Sequence, residues 1–135
     1  MPIELAIVTP QGETWRGPVE AAVLPGSEGD FGVLPNHERF LTPLRVGAVE
    51  IRTATETLVA AVAEGFADVT GDEVAVLVEA CEFASQIDRE RAQAALERAE
   101  RELSEIDRGG DESRRVECES ALQRARNRVA VGERG

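Results

Sequence analysis

The stretch Val74–Ile106, V-A-V-L-V-E-A-C-E-F-A-S-Q-I-D-R-E-R-A-Q-A-A-L-E-R-A-E-R-E-L-S-E-I, changes its hydrophobic period midway. Val74 to Val78 is an unbroken apolar run of strand length, the pattern of a buried strand. Beyond Phe83 the apolar positions become Ala92, Ala95, Leu96, Ala99, Leu103 and Ile106, at spacings of three and four. That is the stripe of an amphipathic helix. Asp88 precedes it, where a short acceptor side chain satisfies the free N–H groups of a first helical turn.

Upstream, the chain reads as sheet throughout. Ile3, Leu5 and Ile7 alternate with polar or smaller residues, and Pro10-Gln11-Gly12 is a turn signal. Thr14-Trp15-Arg16 reads as a short strand broken by Gly17-Pro18, and Val19 to Leu24 as another. Leu41–Arg45 and Gly47–Arg52 read as a strand pair, with Val49 and Ile51 facing inward. Thr57–Ala63 is so continuously apolar that both its faces should be covered. Gly65–Val69 and the turn Thr70-Gly71-Asp72 complete the pattern. Short strands with turns every few residues predict a sandwich, and connections too short for crossovers predict antiparallel pairing. Downstream, Asp107–Asp111 ends the first helix, and Cys118, Ala121, Leu122, Ala125 and Val129 form a second stripe. Two helices joined so closely form an antiparallel hairpin. The predicted class is therefore α+β: an N-terminal antiparallel β-sandwich, residues 1–84, followed by a C-terminal α-helical hairpin, residues 85–135. Both stripes are alanine-rich, so the hairpin should be weakly held.

Composition sets the outer limits. At 135 residues with 42% hydrophobic content there is material for one packed core, and with 4% aromatics that core must be aliphatic. No apolar run approaches the roughly 20 residues of a membrane span, and the start lacks the basic-then-apolar pattern of a secretory signal. Cys81 and Cys118 do not make a disulfide framework; each reads as a small buried hydrophobe. The net charge of -11 argues against a nucleic-acid binder, which phosphate would repel. Residues 1–84 hold four arginines against fourteen acids, and residues 85–135 eleven against twelve, with no lysine anywhere. An acidic module precedes a charge-balanced one, so the two should meet different partners.

One segment is too punctuated for a plain connection. Val23–Pro43, V-L-P-G-S-E-G-D-F-G-V-L-P-N-H-E-R-F-L-T-P, holds three of the six prolines and the single histidine. Gly26, Gly29 and Gly32 recur every third residue, so that backbone is expected to take positive φ and turn tightly. Glu28 and Asp30 lie between them, where a tight turn pushes side chains into water. Val33-Leu34-Pro35 reads as a short strand ended by proline. The segment is expected to present a contact surface.

Leu24–His37 resembles the bacterial F-type ATP synthase epsilon subunit, whose pattern is a Gly-x-x-Gly-x-x-Gly run, an apolar pair, Pro, a small residue and His. Gly65-Phe66, Ile87–Ala92 and Gln123–Val129 are similar to further segments of that family, in the same order along the chain. One departure is Asn36-His37-Glu38-Arg39, where the family often has Gly-His-Ala-Pro. The resemblance implies a non-catalytic central-stalk subunit that binds the gamma subunit and the c-ring, without inserting in the membrane, at the cytoplasmic face of a bacterial plasma membrane. Glu28, Asp30 and His37 would face the c-ring. Two acids on a glycine-shaped turn complement basic loops; the plainer reading is solvated turn residues.

The resemblance also implies that the hairpin binds ATP through Glu82, Ile87, Asp88, Arg91, Ala92, Arg98, Arg124 and Arg128. Arg124 and Arg128 are four apart and so stacked on one helix face. An antiparallel hairpin is expected to bring Arg91 and Arg98 to the same side, and forked guanidiniums suit a triphosphate. The plainer readings are that these arginines pair with neighbouring glutamates and that Asp88 only caps. No G-x-x-x-x-G-K-[ST] loop is present, so ATP would be a regulatory ligand and neither substrate nor resident cofactor. In the extended state the helices would rest on gamma and the catalytic alpha/beta head and inhibit hydrolysis. Two other classes stay open. One is a freestanding adaptor whose hairpin docks a partner helix. The other is a small enzyme, although one histidine, no tyrosine and no Cys-x-x-Cys cluster leave little for acid–base or metal chemistry.

Overall fold

The computed structural model describes residues 3–36, 38–106, 109 and 111–134. Ten strands come first: β1 (Ile3–Thr9), β2 (Gly12–Val19), β3 (Ala21–Gly26), β4 (Gly29–Val33), β5 (Phe40–Leu44), β6 (Gly47–Arg52), β7 (Thr57–Val62), β8 (Gly65–Thr70), β9 (Glu73–Val78) and β10 (Cys81–Phe83). A 3₁₀ turn, Ala84–Gln86, leads into α1 (Arg89–Ile106) and α2 (Glu112–Gly132). The strands run in the order β10-β7-β6-β3-β5-β8-β9-β1-β2, with β4 paired to β3, and the sheet wraps over one aliphatic core. Leu5, Ile7, Leu24, Val33, Val49 and Ile51 are fully buried there, and each such side chain contributes about 2 kcal/mol on leaving water. No polar or charged side chain among the described residues is buried.

Alternation explains which faces are inside. In β7, Ala60 and Val62 are buried in the sandwich, with Leu58 packed against its core. Val59 and Ala61 turn outward and meet the hairpin cluster. The strand is covered on both faces, as its apolar run implies.

Four local expectations are corrected. The pairing is antiparallel except between β1 and β9, which run parallel. The rule of short connections does not apply to them, because the rest of the sandwich lies between them in sequence. β5 and β6 do not pair: β5 lies against β8 and touches β3 at Gly26↔Leu44, while β6 pairs with β3 and β7. Arg45-Val46 is thus a corner rather than a hairpin turn. β2 continues through Gly17-Pro18, with Pro18 opposite Glu4; β2 ends the strand order, and an edge tolerates a residue without an N–H. β4 ends at Val33, so Leu34-Pro35 lies beyond the strand, with Leu34 60% exposed.

The hairpin follows the two stripes. Ala92 and Ile106 are buried on α1 and Leu122 on α2, and the other stripe residues are half-buried. The Arg91 N–H donates to Asp88 Oδ1 at 3.1 Å and the Ser113 N–H to Asp111 Oδ1 at 2.9 Å, which caps both helices. α2, not α1, makes the larger contact with the sandwich, through β6, β7 and the 3₁₀ turn. No helix among the described residues is long and apolar enough to cross a membrane.

Candidate functional site

Three surfaces have the make-up of contact sites. The first is the β3–β4 hairpin. Gly26 pairs with Gly29 across a two-residue turn, Ser27-Glu28. Gly29 has φ +138°, where a side chain is strained. Gly26 and Gly32 do not take positive φ, contrary to expectation. Gly26 is needed for space instead: a Cβ there would stand 2.7 Å from Gly29 O and 2.9 Å from the Phe31 ring. The tip is braced from β5, since Ser27 N–H donates to Pro43 O at 3.1 Å and Arg45 N–H to Pro25 O at 2.9 Å. Phe31 and Phe40 pack edge to face with centroids 5.5 Å apart. Glu28 is exposed, as expected. Asp30 is also exposed but forms an ion pair with Arg45. His37 lies outside the described residues. The five residues of β4 separate this tip from the connection that carries Asn36 and Glu38, a span of roughly 16 Å.

The second surface is the seam between hairpin and sandwich. Arg128 of α2 grips Glu82 of β10 with a fork: Nε donates to Oε1 at 2.6 Å and Nη2 to Oε2 at 3.3 Å. That hydrogen bond chiefly, helped by the charges of Glu82 and Asp88, holds the Arg128 pKa above its usual range against partial burial. Asn127 Nδ2 donates to Gly47 O at 2.8 Å, and Arg134 meets Glu50 at 3.3 Å. The apolar part is small: Ala84, Ile87, Ala92 and Val131, with Ala48, Val59, Ala61 and Val129 around them. Gly132 admits this approach, since a Cβ there would lie 3.0 Å from Ile87 Cγ2.

Two cavities flank the Arg128–Glu82 fork. One, of about 200 Å³, has walls from the sandwich (Ala61, Ala63, Cys81, Glu82) and from α2 (Arg124, Asn127, Arg128). The other, of about 240 Å³, lies between Ile87, Ala92 and Gln93 on one side and Arg128 and Val129 on the other. Of the residues singled out in the sequence, Glu82, Ile87, Ala92, Arg124 and Arg128 thus come together, with Asp88 near enough to act on Arg128. Arg91 and Arg98 stand exposed on α1 and line neither cavity. The chemistry fits an anion with an apolar portion: guanidiniums border a slot whose sandwich wall is alanine and valine apart from Cys81 and Glu82, the latter engaged by Arg128. Burial of Cys81 against the sandwich core, with the Glu82 charge adding to it, pushes its thiol pKa up to about 11. Cys81 and Cys118 are both free and half-buried.

The third surface was not singled out from the sequence as a site. Leu41, Phe66 and Leu77 are 67%, 51% and 45% exposed. The register places Pro43, Phe66, Leu77 and Val8 in one row across β5, β8, β9 and β1, and Leu41, Asp68 and Ala75 in the next. The result is an apolar band on the outer sheet face, interrupted by one acid. The signal was there in β8, where Phe66 and Asp68 share one parity and the buried Ala67 and Val69 the other.

Comparison with known proteins agrees with this architecture. The family model for the ATP synthase Delta/Epsilon chain beta-sandwich domain matches residues 2–84, and that for its long alpha-helix domain residues 85–133. The chain is 42% identical over 132 residues to the ATP synthase epsilon chain of Syntrophobacter fumaroxidans, covering 98% of this chain and 96% of the relative. It is 41% identical to that of Bacillus velezensis, covering 96% of each. Among solved structures, a chain of the Euglena gracilis mitochondrial ATP synthase (OSCP/F1/c-ring in rotational state 1) superposes with a TM-score of 0.82 at 26% identity, covering 96% of this chain and 80% of that one.

Proposed function

Because the chain belongs to the ATP synthase delta/epsilon family, as an epsilon subunit of an F-type ATP synthase, we propose that it is a non-catalytic rotor subunit whose two parts have separate tasks. The sandwich, residues 1–84, couples the catalytic head to the c-ring. Its apolar band around Phe66 and Leu77 is the surface suited to the gamma subunit, since an exposed apolar face gains most from being covered. Its β3–β4 tip, with Glu28 outermost and Asp30 tied to Arg45, is the surface suited to the c-ring. The subunit sits peripherally at the cytoplasmic face of the bacterial plasma membrane.

The hairpin, residues 85–135, regulates ATP hydrolysis. The observation that carries this reading is the seam: α2 is held by a small alanine-rich cluster and a few polar contacts, so it can leave at modest cost. Once extended, its apolar stripes and arginines engage gamma and the alpha/beta head and inhibit hydrolysis. The 200 Å³ slot has walls from both parts, so a ligand filling it binds the docked form alone. A ligand shifts such an equilibrium only through that differential affinity. ATP suits the slot, with phosphates on Arg124 and Arg128 and the base in the apolar recess, and it would release the brake.

Removing residues 85–135 from the assembled enzyme tests the reading. Hydrolysis should rise while assembly is retained; unchanged hydrolysis refutes the brake.

A further inference from the structure

Glu82 is an odd neighbour for a nucleotide phosphate, because its carboxylate repels the very group that Arg128 would attract. The fork resolves the oddity. Glu82 takes Nε and one edge of Nη2 of Arg128. A guanidinium has five N–H donors in a rigid plane, so Nη1 and the second N–H of Nη2 are left as another bidentate edge. Among the described residues no further hydrogen bond to that edge is formed. Arg128 also lines both cavities, so an anion in either would lie beside this side chain. The neighbouring Asn127 is itself fixed to Gly47 O, which pins that turn of α2 to the sheet.

We propose that Glu82 is a positioning residue for the nucleotide: it holds Arg128 by one edge of its guanidinium so that the other edge is set for phosphate. The proposal rests on the nucleotide reading above and differs from a role for Glu82 at the base. A long arginine side chain loses rotamer freedom when it binds an anion. Glu82 has already removed that freedom in the docked state, so phosphate meets an ordered donor pair. The Glu82 charge is largely compensated by the same guanidinium, which limits its repulsion of the ligand. Selectivity follows, because a positioned fork favours a tetrahedral oxyanion with two free oxygens over a halide.

The test compares ATP with inorganic tripolyphosphate, which has no base, by calorimetric titration of the full chain. Glu82→Gln should weaken both ligands by the same factor, about tenfold for loss of one oriented bidentate contact. In an Arg128→Lys background, where there is no fork to orient, Glu82→Gln should have no further effect. Hydrogen exchange of the α2 amides around Asn127–Val131 reports whether the hairpin stays docked, and their protection should be the same in Glu82→Gln as in the wild type. Loss of ATP binding with tripolyphosphate unaffected would place Glu82 at the base and overturn the proposal. So would tighter binding, the mark of a carboxylate competing with phosphate, or lost protection of the α2 amides, the mark of a mere clasp. If the wild type binds neither ligand, the nucleotide reading falls and takes the proposal with it.

Discussion

Inside the sandwich, β1, β3, β6 and β9 bring together leucine, isoleucine and valine side chains with almost no exposed surface. At the seam, two alanines, one isoleucine and one valine make up the buried cluster, and hydrogen bonds and ion pairs supply the rest. The two regions differ in what separation costs. Opening the sandwich exposes many large aliphatic side chains at about 25 cal/mol per Å². Undocking α2 exposes a few small ones and returns Arg128, Asn127 and Arg134 to water, which solvates them well. Exposed or half-exposed ion pairs contribute about 0–1 kcal/mol each. The lesson is that a contact can be specific, through geometry, without being strong.

The largest effect that would break this contrast belongs to the core. Leu24→Ala should lower the unfolding free energy by about 3 kcal/mol. Denaturant titration followed through Trp15, the chain's one tryptophan and a neighbour of the sandwich core, would measure it. A loss below 1 kcal/mol would mean the sandwich is no better packed than the seam.

Cys81 sharpens the contrast from the other side. Its thiol is raised from 9.0 to about 11, so at pH 8 its thiolate is about a hundredfold scarcer than that of an ordinary thiol. Cys81 packs against the sandwich core, so alkylation of the folded chain should be slower by that factor and should approach the ordinary rate only when the sandwich opens. The sign for stability follows. A raised thiol pKa stabilises the folded sandwich fully below pH 9, and that contribution is lost as pH rises through 11. The Trp15 transition should therefore move to lower denaturant concentration between pH 9 and 11.

The smallest expected effect is that of Asn127→Ala. Losing its bond to Gly47 O should shift docking by about 1 kcal/mol, read by hydrogen exchange of the α2 amides. The Trp15 transition should not move. If it moves with docking, the two regions unfold as one unit and the distinction fails.

Local pattern carried the sequence reading where one element's own periodicity decides its shape. The α1 stripe from Ala92 to Ile106, the capping role of Asp88, the alternation of β1 and the two covered faces of β7 were all legible. Partners distant in the chain were not. Nothing local says that β1 lies parallel to β9, or that Arg45-Val46 turns a corner between β5 and β6 instead of closing a hairpin. Gly26 was expected to serve by its φ, but it serves by its missing Cβ against Phe31, a packing fact. At the candidate site, the arginine spacing on α2 was legible. The fork of Arg128 on Glu82 joins residues 46 apart and needed the fold. Arg45 on Asp30 and Asn127 on Gly47 escaped for the same reason.

Native-state hydrogen exchange on the full chain, compared between α2 and strands β3 and β6, probes the two regions in a single experiment. The account predicts that α2 amides around Asn127–Val131 exchange through an opening several kcal/mol less costly than the one that releases the sandwich strands. Equal opening free energies in both, with the same denaturant dependence, would contradict it.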